Sequence, residues 1–160
     1  MTDVPTQKYP FLEKAKFNDL HVTKTGEMRA SVQLTGLKTL WFNTGTLCNL
    51  TCKNCYIESS PTNDRLVYLT TREVVAFLDE LDRSKSAMVE VGFTGGEPFM
   101  NPDFLEMVTE CAERGHRVLI LTNAMRPMMK CESALLNLQA RFAHLITMRD
   151  SLDHYTAFLH

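Results

Sequence analysis

Apolar and polar positions follow different rhythms along the chain, and each rhythm predicts an element. Met28, Ala30, Val32 and Leu34 alternate with Arg29, Ser31 and Gln33, the period of a half-buried strand. Leu20 and Val22 precede them across the turn sequence Lys24-Thr25-Gly26-Glu27. Residues 1–38 therefore read as an irregular arm followed by a β-hairpin. From Thr39 the pattern changes, beginning with a short apolar strand at Leu40-Trp41-Phe42. Val74, Phe77, Leu78 and Leu81 fall at i, i+3, i+4 and i+7, one apolar face of a helix over about Thr71 to Asp82. Met88 to Phe93 reads as the next strand. Phe104, Met107, Val108 and Cys111 form the face of a second helix, capped by Asn101, with Pro102 at its first position and Gly115 at its end. Val118-Leu119-Ile120-Leu121 is a near-continuous apolar run, as expected of a parallel strand covered on both faces. Leu135, Leu138 and Phe142 mark a third helix over about Cys131 to Ala143, and a fourth strand runs over about Leu145 to Leu152.

The order β-α-β-α-β-α-β, repeating about every 30 residues, calls for a parallel α/β sheet with right-handed crossovers. In such sheets chemistry gathers at the carboxyl ends of the strands. Every unusual cluster here falls at such an end. Three cysteines follow the first strand, Thr94-Gly95-Gly96-Glu97-Pro98 the second, Thr122-Asn123 the third, and Ser151-Leu152-Asp153 the fourth.

Composition narrows the function classes. The 160 residues carry a formal net charge of −2, which lacks the basic excess of a nucleic-acid or anionic-membrane binder. No apolar run approaches the ~18 residues of a membrane span. Residues 1–14 mix Asp3, Pro5, Lys8 and Pro10 without an apolar stretch, so no secretory signal is expected and the cytoplasm is the default location. His116 and His144 each precede a strand and read as solvated turn residues. Met125, Met128 and Met129 read as a loose loop beyond the third strand.

The five cysteines, at 48, 52, 55, 111 and 131, make a poor disulfide framework. Cys111 falls on an apolar helix face, where a free cysteine packs as a core residue, and Cys131 opens the third helix. Cys48, Cys52 and Cys55 are different, because one short loop presents all three. Structural zinc wants four ligands, and no histidine lies between Thr23 and Gly115 to supply the fourth. A thioredoxin-type motif would use Cys52 and Cys55 and leave Cys48 unexplained. A 4Fe-4S cluster takes four cysteines; three would leave one iron open to a substrate or cofactor.

Cys48-Asn49-Leu50-Thr51-Cys52-Lys53-Asn54-Cys55-Tyr56 resembles the cluster loop of radical S-adenosylmethionine (radical SAM) enzymes. Thr94-Gly95-Gly96-Glu97-Pro98 resembles their methionine-binding strand end, and Thr122-Asn123-Ala124 and Ser151-Leu152-Asp153 their third and fourth strand ends. The resemblance covers about Thr39 to Asp153. It implies an incomplete parallel (β/α) barrel of TIM type, about four β/α units behind the N-terminal hairpin, with residues 39–160 as the core domain. It implies that Cys48, Cys52 and Cys55 hold a 4Fe-4S cluster whose fourth iron is chelated by S-adenosylmethionine. Reductive cleavage would then give a 5′-deoxyadenosyl radical that takes hydrogen from a substrate, an oxidoreductase-type chemistry carried by the cofactors.

The resemblance also assigns ligand contacts. Gly95, Gly96 and the Glu97 carboxylate would meet the methionine ammonium, with Pro98 stiffening the turn. The Asn54 backbone and Tyr56 would sit by the adenine, and Asn123, Ser151 and Asp153 by the ribose and carboxylate. Asn54 stands where the family often has an aromatic residue, which favours a backbone contact there. Asp150, where the family has an apolar residue, is expected to face the helix layer with Met148 and Leu152. The family barrel has six or eight strands, so the missing strands are expected from further sequence or from another chain. A flavodoxin- or ferredoxin-like electron donor is the implied partner. A non-catalytic iron–sulfur electron-transfer module and a zinc-stabilised domain are the alternative readings.

Overall fold

The structure, a computed structural model, describes residues 19–33, 35–84 and 88–151. The chain divides into two compact units between Thr35 and Gly36.

In the first unit the turn forms as its sequence predicts. Thr23 N donates to Glu27 O at 2.8 Å and Gly26 N to Thr23 O at 3.0 Å, with Gly26 at φ 85°. Over 28–33, the described part of the strand expected at 28–34, no strand forms. A single antiparallel bridge joins Val22 to Met28, and Met28 and Val32 are exposed. Alternation alone does not stabilise two strands in water; they need a third strand or a helix against their apolar face, and the described residues of this unit supply neither. Leu34 lies outside the described residues.

The second unit contains strands β1 (Thr39–Asn43), β2 (Glu90–Thr94), β3 (Arg117–Thr122) and β4 (Ile146–Asp150). Its helices are α1 (Thr71–Arg83), α2 (Phe104–Glu113), the short α3 (Arg126–Met129) and α4 (Glu132–Phe142). The four strands are all parallel and lie in the order β1-β2-β3-β4. A parallel sheet whose spatial order follows the chain carries its helices on one face, as a barrel wall does. The core lies on that face. Phe42, Val91, Phe93, Val118 and Ile120 point from the strands to Val74, Leu78, Phe104, Met107, Val108 and Leu138 of the helices. Phe93 sits at its centre, stacked on Phe42 at 5.7 Å and meeting Phe104 edge-on at 5.4 Å.

Helix α1 starts where Thr70 and Glu73 form a reciprocal capping box. Its Val74, Leu78 and Leu81 are buried as the period predicts, whereas Phe77 is half exposed. Arg114 ties α1 to α2 through Asp79 at 2.7 Å and Asp82 at 2.8 Å. On the opposite face of the sheet Trp41 and Gly92 are register partners. A Cβ at Gly92 would stand 2.4 Å from the Trp41 ring, so the glycine makes room for an indole laid flat across β2.

Several sequence expectations are corrected. Asn101 does not cap α2, which begins after Pro102, at Phe104. A 3-10 turn, Pro98–Met100, fills the start of this connection. Asn101 instead accepts from Asp103 N and donates through Nδ2 to Thr44 O at 3.0 Å and Leu69 O at 2.8 Å, pinning three loops at the rim. His116 is not a solvated turn residue. It is buried, and neither ring nitrogen has a hydrogen-bond partner, whereas His144 is exposed. Asp150, by contrast, keeps the expected side: it pairs with Thr122 two residues on from Met148 opposite the core residue Ile120, and its side chain is exposed there. The methionine loop contains α3, and Met128 and Met129 line an apolar cavity of about 440 Å³ with Leu135, Ile146 and Met148. Cys111 is fully buried in the core, and burial pushes its thiol up to about 12. Cys131 packs, partly buried, against the same core.

Candidate functional site

The carboxyl ends of β1 and β2 are joined by backbone hydrogen bonds before any side chain is considered. Thr44 N donates to Thr94 O at 2.8 Å, Gly96 N to Gly45 O at 2.8 Å, and Glu97 N to Leu47 O at 3.1 Å. The loop that leads to Cys48 is thereby laid along the loop after β2. This contact explains the paired glycines. A Cβ on Gly95 (φ 139°) would fall 2.7 Å from Gly45 O, and one on Gly96 would fall 2.1 Å from Leu47 O. The far side of each contact is backbone, which cannot move aside as a flexible side chain can.

Glu97 fastens the third strand end. It is buried, and its carboxyl oxygens accept from Phe99 N at 3.2 Å, Thr122 Oγ1 at 2.8 Å and Asn123 N at 2.8 Å. The sequence reading turned this group toward an ammonium of the cofactor; in the structure three donors of the chain hold it. Asn123 is engaged as well. Its Nδ2 reaches Asn49 Oδ1 at 3.0 Å and Cys48 Sγ at 3.7 Å, while its Oδ1 accepts from Met125 N. Ala124 follows at φ 54°, a left-handed conformation unusual for a residue with a Cβ. Its N–H is held by Thr122 Oγ1 at 3.0 Å.

These contacts frame a pocket of about 260 Å³ lined by Cys48, Cys52, Cys55, Asn54, Tyr56, Thr94, Gly95, Gly96, Asn123 and Ser151. Nine of the sequence-predicted site residues thus line one cavity, with Thr94 beside them. Glu97 and Pro98 lie buried beneath it, and Asp153 lies outside the described residues. Tyr56 is exposed, with its hydroxyl 3.4 Å from Thr94 Oγ1. Ser151 N donates to Thr122 O at 3.0 Å, which extends the β3–β4 ladder to the pocket edge.

The three cysteines differ in surroundings. Burial pushes the Cys48 thiol up, with Glu97 and Cys55 adding to it, against donation from Leu50 N at 3.4 Å and from Asn123. Burial also raises the Cys55 thiol, but the N–H groups of Ser59, Ile57 and Glu58 and the Ser59 hydroxyl outweigh it and hold that thiol below its ordinary range. Ser59 N donates to Cys55 Sγ at 3.2 Å. Donors aimed at sulfur favour the thiolate, the form that binds metal.

Among the described residues no three His, Cys, Asp or Glu side chains converge on one point that could hold a single ion. A closed zinc site needs that convergence. A 4Fe-4S cluster does not, because each thiolate takes a different iron. Three cysteine sulfurs around one pocket, two of them with N–H donors, fit a cluster better than a lone ion.

Sequence reasoning missed Thr94, Thr122 and Ser59 as working parts of this site. Thr122 has a sequence signal, a hydroxyl ending an apolar parallel strand. Ser59 has none, since a serine in a polar loop is ordinary until its burial is known.

A family model described as the radical SAM superfamily matches residues 42–153. Mycofactocin maturase MftC of Mycobacterium ulcerans (strain Agy99) is 35% identical over 79 residues, 49% of this chain and 20% of that protein. The antilisterial bacteriocin subtilosin biosynthesis protein AlbA of Bacillus subtilis (strain 168) is 31% identical over 113 residues, 71% of this chain and 23% of that protein. Among solved structures, Streptococcus suis SuiB bound to S-adenosylmethionine superposes with a TM-score of 0.58 at 21% identity, over 73% of this chain and 25% of that one, a likeness of fold. The chain therefore spans about a fifth to a quarter of the length of these relatives.

Proposed function

The chain belongs to the radical SAM superfamily, and from that premise we propose that it binds a 4Fe-4S cluster and S-adenosylmethionine at the β1–β3 rim and cleaves the latter reductively. The observation that carries this reading is the single pocket lined by Cys48, Cys52, Cys55, Gly95 and Gly96 at the carboxyl ends of parallel strands. When bound, the reduced cluster and S-adenosylmethionine supply one-electron cleavage and hydrogen-abstraction chemistry.

The residues of the chain divide the remaining work. Cys48, Cys52 and Cys55 bind iron as thiolates. The carbonyls of Gly95 and Gly96 accept from the methionine ammonium. Glu97 acts one step behind them by holding the β2 and β3 loops together, and Pro98 fixes the exit of that turn. The Asn54 backbone and Tyr56 border the adenine, and Ser151 and Asp153 stand toward the ribose and carboxylate. Asn123 orients Cys48 in addition to bordering the ligand.

The whole protein's activity is wider than this rim. We propose that substrate specificity, and the strands that pair with the outer edges of β1 and β4, come from further sequence or from another chain. A flavodoxin- or ferredoxin-like donor would supply the electron in a cytoplasmic setting. Among the described residues no helix is long and apolar enough to cross a membrane.

Anaerobic reconstitution of the chain with iron and sulfide tests the proposal. The expected product is brown, holds about four irons per chain, and releases methionine and 5′-deoxyadenosine from S-adenosylmethionine on reduction. Cys52→Ala is expected to lose cluster and cleavage together. Tight zinc without a cluster, or a cluster inert to S-adenosylmethionine, would overturn it.

A further inference from the structure

Four hydroxyl side chains are buried at the rim, and three of them have partners. Thr44 Oγ1 donates to Thr94 O, Thr46 Oγ1 to Leu66 O, and Thr122 Oγ1 to Glu97 Oε1. Ser59 is the exception. It is 5% exposed, and its Oγ makes no hydrogen bond with the chain. Buried polar groups are nearly always paired, and an unpaired one calls for an explanation.

The place of this hydroxyl supplies one. Ser59 lines the same pocket as Cys48, Cys52 and Cys55. Its backbone N–H is already bonded to Cys55 Sγ at 3.2 Å, which fixes the residue beside that sulfur. The segment is also held from behind. Cys48 N donates to Ser60 O at 3.1 Å, and Leu47 and Ser60 form a parallel bridge. The hydroxyl is thus kept at the pocket wall beside Cys55, its hydrogen bond uncompleted, with little freedom to leave.

Resting on the cluster reading above, we propose that Ser59 Oγ–H donates a hydrogen bond to a sulfur of the 4Fe-4S cluster, the Cys55 thiolate or a neighbouring sulfide, and so raises the cluster's reduction potential. Reduction adds negative charge to the sulfurs, so a donor there stabilises the reduced state more than the oxidised one. Ser59 joins Leu50 N, Ser59 N and Asn123 Nδ2, which donate to the cysteine sulfurs already. It differs from those three in that its hydroxyl, close enough to Cys55 to help hold that thiol down, completes no hydrogen bond within the chain.

The test is a redox titration of the reconstituted full chain, followed by the electron paramagnetic resonance of the reduced cluster. Ser59→Ala is expected to take up iron and sulfide as the wild type does. Its reduced-to-oxidised ratio at a fixed poise should fall several-fold, toward the tenfold that corresponds to about 59 mV for a one-electron couple. Ser59→Thr should restore the ratio, and Ser59→Cys, a weak donor, should fall between. A Ser59→Ala cluster with the wild-type potential overturns the assignment while the cluster reading stands. If Ser59→Ala does not load, equal potentials in Ser59→Thr and Ser59→Cys overturn it. A wild-type chain that takes up no cluster overturns the underlying reading, and this assignment with it.

Discussion

Glu97 receives donors from three segments: Phe99 N in its own turn, Thr122 Oγ1 at the end of β3, and Asn123 N beyond it. Glu97→Gln keeps the shape of the side chain and replaces one acceptor oxygen by an NH2 group. That NH2 must face a donor, so one buried group is left unpaired, a loss of about 1–3 kcal/mol. The expected outcome is a lower denaturation midpoint together with weaker S-adenosylmethionine binding, at unchanged iron content per folded chain. Urea unfolding, an iron assay and equilibrium binding check the three parts. If stability held and only S-adenosylmethionine binding weakened, the carboxyl would be contacting the ligand directly, as the sequence reading had it. That reading picked Glu97 and Asn123 through the resemblance of their motifs to radical SAM strand ends, and both do stand at the rim. The partners that tie them across the rim were illegible because they lie 25 to 75 residues away in the chain. The resemblance set Gly96 against the methionine, but what forbids a Cβ there in the structure is Leu47 O in the cysteine loop.

The elements that were read correctly are those whose pattern and surroundings agree. The apolar run at 118–121 became β3 because it is covered by α2 and α4 on one side and paired with strands at both edges. The face of α1 repeats at the helical period and carries its own capping box. Pattern failed where surroundings were absent: among the described residues the alternation at 28–32 has nothing to bury against and stays mostly exposed. It also failed where a polar side chain had better partners than the local one, as Asn101 has in Thr44 O and Leu69 O. β4 lies between these cases. It keeps its ladder to β3, yet only Ile146 is even partly buried and its other edge is open among the described residues. Backbone hydrogen bonds with little apolar cover open with low free energy. Amide hydrogen exchange is therefore expected to be faster across β4 than across β2, whose Val91, Gly92 and Phe93 are buried and which is paired on both sides. Equal protection in the two strands would show that β4 is covered in solution.

Across the whole molecule, chemistry and stability sit at opposite ends of one sheet. The cysteines, glycines and Glu97 occupy the carboxyl ends of the strands, whereas His116 lies buried at the amino end of β3. Burial lowers its pKa from the ordinary 6.5; Asp82 works against that lowering and Arg114 with it. With neither ring nitrogen paired, protonation in the folded state would leave a buried cation without an acceptor. The sign follows from proton counting. The unfolded imidazole takes its proton near 6.5, the folded one only at lower pH, so just below 6.5 the unfolded state holds more protons. The contribution of His116 is thus fully present above the unfolded value. It is lost as pH falls through that value toward the folded one. Carboxylates titrate mostly below about 4.5, so the interval between about pH 5 and 7 isolates the histidines. Urea unfolding of the iron-free chain is expected to show stability falling over that interval. His116→Leu, which fills the same buried space without a titrating group, should flatten the fall. A variant that keeps the wild-type slope would move the proton uptake to another group. Because the far rim is built from other residues, iron uptake by His116→Leu should equal that of the wild type; a loss of uptake would mean that the two ends of the sheet are coupled.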